Sequence, residues 1–125
     1  MKFVSWNILG IGSQAKRTKV LNHLTKLQAD ICLLQETHLC PSEQHKLKRI
    51  HVYSATYKSR KRGVSILINK TIPLMINSTI IDLEGGYIII HASLFSDNCI
   101  IANVYSPNND HPFFSLILLL TQSHA

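Results

Sequence analysis

Charge is scarce in this chain. Charged residues fill only 16% of its 125 positions, against a usual quarter or so, while apolar residues fill 46%. That balance excludes intrinsic disorder, which needs low hydrophobicity and high charge. Glycine (5) and proline (4) are too few for collagen-like or low-complexity sequence. Apolar runs such as Ile88–Ile90 and Leu116–Leu120 are far too short to span a bilayer, so no membrane partner is expected. The leading Met-Lys-Phe-Val-Ser-Trp-Asn has neither a hydrophobic signal core nor a small-residue cleavage site, so the protein is not expected to be secreted. Three cysteines, Cys32, Cys40 and Cys99, are an odd number without Cys-x-x-Cys spacing. They read as small buried apolar residues of a reducing compartment, and a nuclear or cytoplasmic location is the expectation. There is no Gly-x-Ser-x-Gly, no P-loop and no His-Glu-x-x-His. The length suits one domain, 1–125, with a single core.

Acidic residues are missing altogether between Gln44 and Ile81, a stretch holding Lys46, Lys48, Arg49, Lys58, Arg60, Lys61, Arg62 and Lys70. This unevenness lies within a formal net charge of +6. Lys58, Arg60, Lys61 and Arg62 crowd into one short segment, and Tyr53 and Tyr57 lie just before it. Such a run is the electrostatic footprint of a phosphate-binding surface, with DNA as the expected partner. A solvated basic loop has the same composition, and a nuclear-localisation signal is a weaker reading.

Lys2–Ile8 carries β-branched and aromatic residues and reads as a strand ending near Asn7. Ser13 can cap a helix in which Val20, Leu21, Leu24 and Leu27 recur at helical spacing, closing at Ala29–Asp30. Ile31-Cys-Leu-Leu-Gln is a continuous apolar run, which suggests a strand covered on both faces. Residues 2–36 therefore read as a βαβ unit that would bring Asn7 and Glu36 to one carboxyl-end rim, where open α/β sheets place ligands. After Pro41 the polar Ser42–Arg49 could form a helical turn or two. His51–Thr56, Val64–Asn69, Leu74–Leu83, Tyr87–Phe95 and Cys99–Tyr105 then read as strands. Gly85-Gly86 and Ser96-Asp97-Asn98 read as hairpin turns, and Pro73 as a strand start. Pro112 suits the first turn of a helix over the apolar Phe113–Leu120.

Glu36 is the sharpest chemical signal, because an unpaired carboxylate at the end of a buried strand is costly. A divalent cation offsets that cost, and Mg²⁺ takes one or two carboxylates with waters and substrate phosphate. A rim glutamate paired with a lysine is the ordinary alternative. The Asn7 amide could hold a metal-bound water or a phosphate oxygen, or serve as a strand-end turn residue. Tyr105 could donate to a phosphate, or be a half-buried edge tyrosine. His38 stands beside Glu36, while His45, His51, His91, His111 and His124 have no evident partner.

Five segments in order carry a resemblance: Phe3-Val-Ser-Trp-Asn7, Ala29-Asp-Ile-Cys-Leu-Leu-Gln-Glu36-Thr-His38, Gly63-Val-Ser-Ile-Leu-Ile, Glu84-Gly-Gly-Tyr87 and Asn103-Val-Tyr-Ser-Pro-Asn108. Together they resemble the N-terminal half of the endonuclease/exonuclease/phosphatase superfamily, closest to the endonuclease domains of LINE-type retrotransposons. The resemblance implies an α/β fold, half of a four-layered sandwich with mainly antiparallel sheets and helices outside. It implies Mg²⁺-dependent phosphodiester cleavage, with DNA nicking as the reaction. Glu36 matches the metal-binding glutamate, Asn7 an active-site asparagine that orders metal and phosphate, and Tyr105 a tyrosine on the scissile phosphate. His38 and Asn108 fall in the same motifs and are assigned to nucleic-acid contact with Lys58, Arg60, Lys61 and Arg62. The superfamily's later Asp-x-Asn motif and Asp-His pair have no counterpart here, and Asp110-His111 sits too early for that role. Two expectations stay open: a metal-dependent endonuclease, incomplete by itself, or a non-catalytic truncated remnant. The remnant would at most bind nucleic acid or self-associate through an open sheet edge beside Tyr105.

Overall fold

A computed structural model describes residues 1–47, 51–58, 61–105 and 113–120, with backbone placement only for 44–46 and 113–120. Its elements run β1 (Phe3–Asn7), α1 (Gln14–Lys26), β2 (Ile31–Gln35), a 3-10 turn at Pro41–Lys46, β3 (His51–Ala55) and β4 (Val64–Ile68). β5 (Leu74–Ile81), β6 (Tyr87–Leu94), β7 (Asp97–Tyr105) and β8 (Phe113–Leu120) follow. The fold is α/β, with two four-stranded sheets in the orders β1-β2-β4-β3 and β5-β6-β7-β8. In the first sheet β1 and β2 are parallel, and the remaining pairs are antiparallel. The second sheet is antiparallel throughout.

The βαβ unit forms as its sequence indicates. The Ser13 hydroxyl accepts from the Lys16 N–H at 3.2 Å, satisfying one of the orphan donors at the start of α1. Val20 and Leu24, one helical turn apart, bury against the first sheet with Ile8, Ile11, Cys32, Leu34, Leu39, Leu47 and Leu67. Every residue of β2 is buried, because Cys32 and Leu34 face this helix layer while Ile31 and Leu33 face the second sheet. The inter-sheet core joins Ile66 and Ile68 to Ile88, Ile90 and Ile101. Fully burying each of these side chains contributes about 1.5–3 kcal/mol. Cys32 and Cys99 are buried as expected, whereas Cys40 is only half-buried; all three are free thiols.

Three expectations need correction. Phe113–Leu120 is not a helix but β8, paired with β7 from Asn98↔Leu120 to Tyr105↔Phe113. An apolar run of eight residues carries no period that separates helix from strand, and the open edge of β7 offers a full row of backbone partners. For the same reason the strand ending at Tyr105 has no open edge: the edge strands are β5 and β8 in the second sheet, and β1 and β3 in the first. The β6–β7 turn falls on Phe95-Ser96, both at positive φ (49° and 67°), and not on Ser96-Asp97-Asn98. Leu94↔Asp97 is the closing pair, so Asp97 and Asn98 belong to the strand.

Candidate metal and phosphate site

The carboxyl ends of β1 and β2 share one rim, because these strands run parallel with Asn7 opposite Gln35. Beyond that pair the two chains stay zipped. Ile8 N–H donates to the Gln35 carbonyl (3.1 Å), Gly10 N–H to Glu36 (2.6 Å) and Ile11 N–H to Thr37 (2.9 Å). The belt continues sideways, with Thr37 N–H donating to Gly63 (3.0 Å) and His38 N–H to Arg62 (2.8 Å). It crosses to the second sheet where Gly63 N–H meets the Gly85 carbonyl (3.0 Å), and Tyr105 N–H closes it on Gly86 (2.7 Å).

This rim concentrates backbone strain. Leu9, Glu36, His38 and Arg62 all sit at φ between 51° and 57°, the left-handed region that costs a non-glycine residue roughly 1–2 kcal/mol. Strain of this kind gathers where the surroundings hold a site in one geometry. Two glycines are required here. Gly10 lies at φ 92°, where a Cβ would stand 2.7 Å from His38 Nδ1. Gly63 lies at φ 96°, where a Cβ would stand 2.5 Å from the Thr37 hydroxyl oxygen. That hydroxyl is buried without a hydrogen-bond partner among the described residues.

Glu36, with its side chain 19% exposed, is the centre of the side-chain arrangement. His38 Nε2 stands 3.8 Å from its Oε1. The Tyr105 hydroxyl is pushed above the ordinary tyrosine pKa, first by burial, then by a hydrogen bond to Glu36 and by that group's negative charge. Asn7 Oδ1 accepts from Leu9 N–H at 3.3 Å, a turn-type bond that holds the amide at the strand end. The structure thus gathers Asn7, Glu36, His38 and Tyr105 on one rim. A cleft of about 210 Å³ opens beside Tyr105, lined also by Arg62, Asp82, Glu84, Gly86, Tyr87 and Val104. A roomier cavity of about 380 Å³ lies at the opposite rim, by Asp30, Cys32 and Asn69, away from this chemistry.

The basic segment reaches the same rim in part. The Arg62 guanidinium lies over the Tyr57 ring at 4.8 Å from its centroid, and Lys58 Nζ at 5.9 Å. Arg62 also pairs with the Glu84 carboxylate at 3.1 Å, so its charge is partly compensated. Lys61 is exposed. Arg60 and Asn108 lie outside the described residues.

A model of the endonuclease/exonuclease/phosphatase family matches residues 4–122 of this chain. The chain belongs to that family. Its members are phosphate-ester and phosphodiester hydrolases, typically metal-dependent, and the family's chemistry therefore implies a divalent cation. The donors present fit such an ion only as a sparse set. No group of three or more His, Cys, Asp or Glu side chains among the described residues could hold a metal. A single carboxylate suits Mg²⁺, which retains waters and uses substrate phosphate, and does not suit zinc. No helix among the described residues is long and apolar enough to cross a membrane.

Two residues beneath this rim carry no role in the sequence reading. Gln35 and Asn103 are both fully buried, and Gln35 Nε2 donates to Asn103 Oδ1 at 2.8 Å. Their one visible signal is polarity inside otherwise apolar strands.

Proposed function

We propose that this chain carries the metal and phosphate clamp of a Mg²⁺-dependent DNA endonuclease of the LINE retrotransposon type, corresponding to the N-terminal half of such a domain. The observation that carries the reading is the convergence of Glu36 and Tyr105, from different sheets, on one strained rim. Glu36 and Asn7 would hold the cation, which supplies Lewis-acid stabilisation of charge on the phosphate. Tyr105 donates its proton toward a phosphate oxygen, and its raised pKa keeps it a donor at neutral pH. His38, Lys58, Arg60, Lys61, Arg62 and Asn108 follow the phosphate backbone without reading bases. Hydrolysis further needs a base to prepare water and a group to stabilise the leaving oxygen, and these side chains supply neither. Residues 1–125 are accordingly expected to bind metal and DNA but not to nick DNA unaided.

The test joins metal binding to a plasmid assay. Mn²⁺ as a paramagnetic probe should broaden the Glu36 and Tyr105 NMR signals. Glu36→Gln should weaken that binding by more than the roughly 10–100-fold typical of losing an outer-shell partner. Supercoiled plasmid in Mg²⁺ should stay intact. Full Mn²⁺ affinity in Glu36→Gln places the ion elsewhere; nicking that Glu36→Gln abolishes shows that the clamp suffices for catalysis.

A further inference from the structure

The two sheets meet across an apolar core, with a buried polar contact directly beneath the rim. Asn103 is on β7, two residues before Tyr105, and Gln35 is on β2, one residue before Glu36. Besides accepting from Gln35, the Asn103 carboxamide donates to two backbone carbonyls of the first sheet, Leu34 on β2 and Ser65 on β4, each at 2.9 Å. Gln35 Nε2 also reaches the Leu33 carbonyl and the Ser5 hydroxyl, both at 3.2 Å. One side chain of the second sheet is therefore held by three groups of the first sheet, at zero solvent exposure.

Apolar packing alone resists separation of two sheets but defines their sliding position weakly, because it is non-directional. A buried amide with aligned partners is directional, and leaving its groups unpaired costs roughly 1–3 kcal/mol each. Sliding β7 along β2 would break the Asn103 contacts together, so they define one setting. Glu36 directly follows Gln35 and Tyr105 follows Asn103 by two residues, so both chains run from this contact to the rim, where the Glu36 carbonyl accepts from Gly10 N–H at 2.6 Å and Tyr105 N–H donates to Gly86 at 2.7 Å.

We propose that Asn103 is a positioning residue: its buried carboxamide locks the second sheet onto the first and thereby sets the separation of Glu36 and Tyr105. The proposal rests on the reading of Glu36 as the metal-holding carboxylate, and it adds what holds Tyr105 against that carboxylate. Neither Asn103 nor Gln35 touches the cleft itself.

The experiment follows the ¹³Cζ NMR signal of Tyr105 in the full 125-residue chain, assigned by its loss in Tyr105→Phe. In the parent background Glu36→Gln should shift this signal, because it removes the carboxylate beside the phenol. In Asn103→Leu, checked for a cooperative thermal transition, this response to Glu36→Gln should be lost and Mn²⁺ affinity should fall roughly ten-fold, the scale of an outer-shell loss. Should stranding Gln35 prevent Asn103→Leu from folding, the double variant Gln35→Leu/Asn103→Leu decides, since removing both partners of a buried hydrogen bond costs less than removing one. Its expected result is recovered stability with the Tyr105 response still absent. A folded Asn103 variant with the parental response overturns the proposal. Failure of both variants to fold also overturns it, by making Asn103 a requirement of folding instead of positioning. If Mn²⁺ leaves the parental Tyr105 signal sharp, the metal reading falls, while the shift on Glu36→Gln still reports whether Asn103 holds Tyr105 to Glu36.

Discussion

The Tyr105 hydroxyl is hydrogen-bonded to the Glu36 carboxylate, although the two residues stand at the ends of strands in different sheets. Burial, that bond and the Glu36 charge, in this order, raise the phenol's pKa above its ordinary value of 10.0. The neutral form is favoured in the fold, so the stabilisation is complete below the unfolded pKa and is lost as pH rises through the folded one. Glu36→Gln removes the charge but not the burial. The Tyr105 titration should therefore move down and still stay above an exposed tyrosine, as read from phenolate absorbance against Tyr105→Phe.

Arg62 is engaged with Glu84, so the basic residues should not contribute equally to DNA binding. Each phosphate neutralised adds about 0.9 to the log–log salt slope. Lys61→Ala should flatten the slope by up to that amount and Arg62→Ala by less, while Glu84→Gln should tighten binding by freeing Arg62. Fluorescence anisotropy of a labelled duplex across a salt series checks this. Unchanged slopes in all three variants would make the segment a solvated loop.

The Cys32 thiol is pushed up to about 11 from 9.0, mainly by burial and then by the charge of Asp30. Burial also raises Cys99. Both are neutral groups favoured by the fold, so their contribution is complete below about 9 and, for Cys32, is lost as pH rises through about 11. Alkaline unfolding should fall within this window. Cys32→Val keeps the apolar contact without the ionisation and should move the midpoint to higher pH by circular dichroism. In the folded chain the half-buried Cys40 should react with a thiol reagent before either buried cysteine.

The edge strand β5 exposes Met75, Ile80 and Ile81, and Tyr87 of β6 is also exposed. An uncovered edge strand with apolar side chains favours pairing with another chain. Light scattering after size exclusion should show concentration-dependent association, reduced by Ile80→Lys. A monomer at all concentrations, with Ile80→Lys unchanged, would show that this edge is inert.

The sequence by itself determined the βαβ unit, because a capped amphipathic helix between two apolar runs leaves little choice of topology. It also marked Glu36, since a carboxylate ending a buried strand demands a partner whatever surrounds it. The order of strands up to Tyr105 was legible from alternating and β-branched runs. What only the tertiary structure decided depends on groups far apart in the chain. Phe113–Leu120 is a strand because β7 supplies its hydrogen bonds, a choice its own apolar run cannot make. In sequence Arg62 is one member of a basic run, and only the fold sets Glu84 against it, 22 residues away. Asn103 meets Gln35 across 68 residues, and no local period signals a polar pair that forms only when two sheets close. Local propensity reads short-range periodicity, whereas the separation of Glu36 and Tyr105 is defined by directional bonds between sheets, and those exist only in the folded chain.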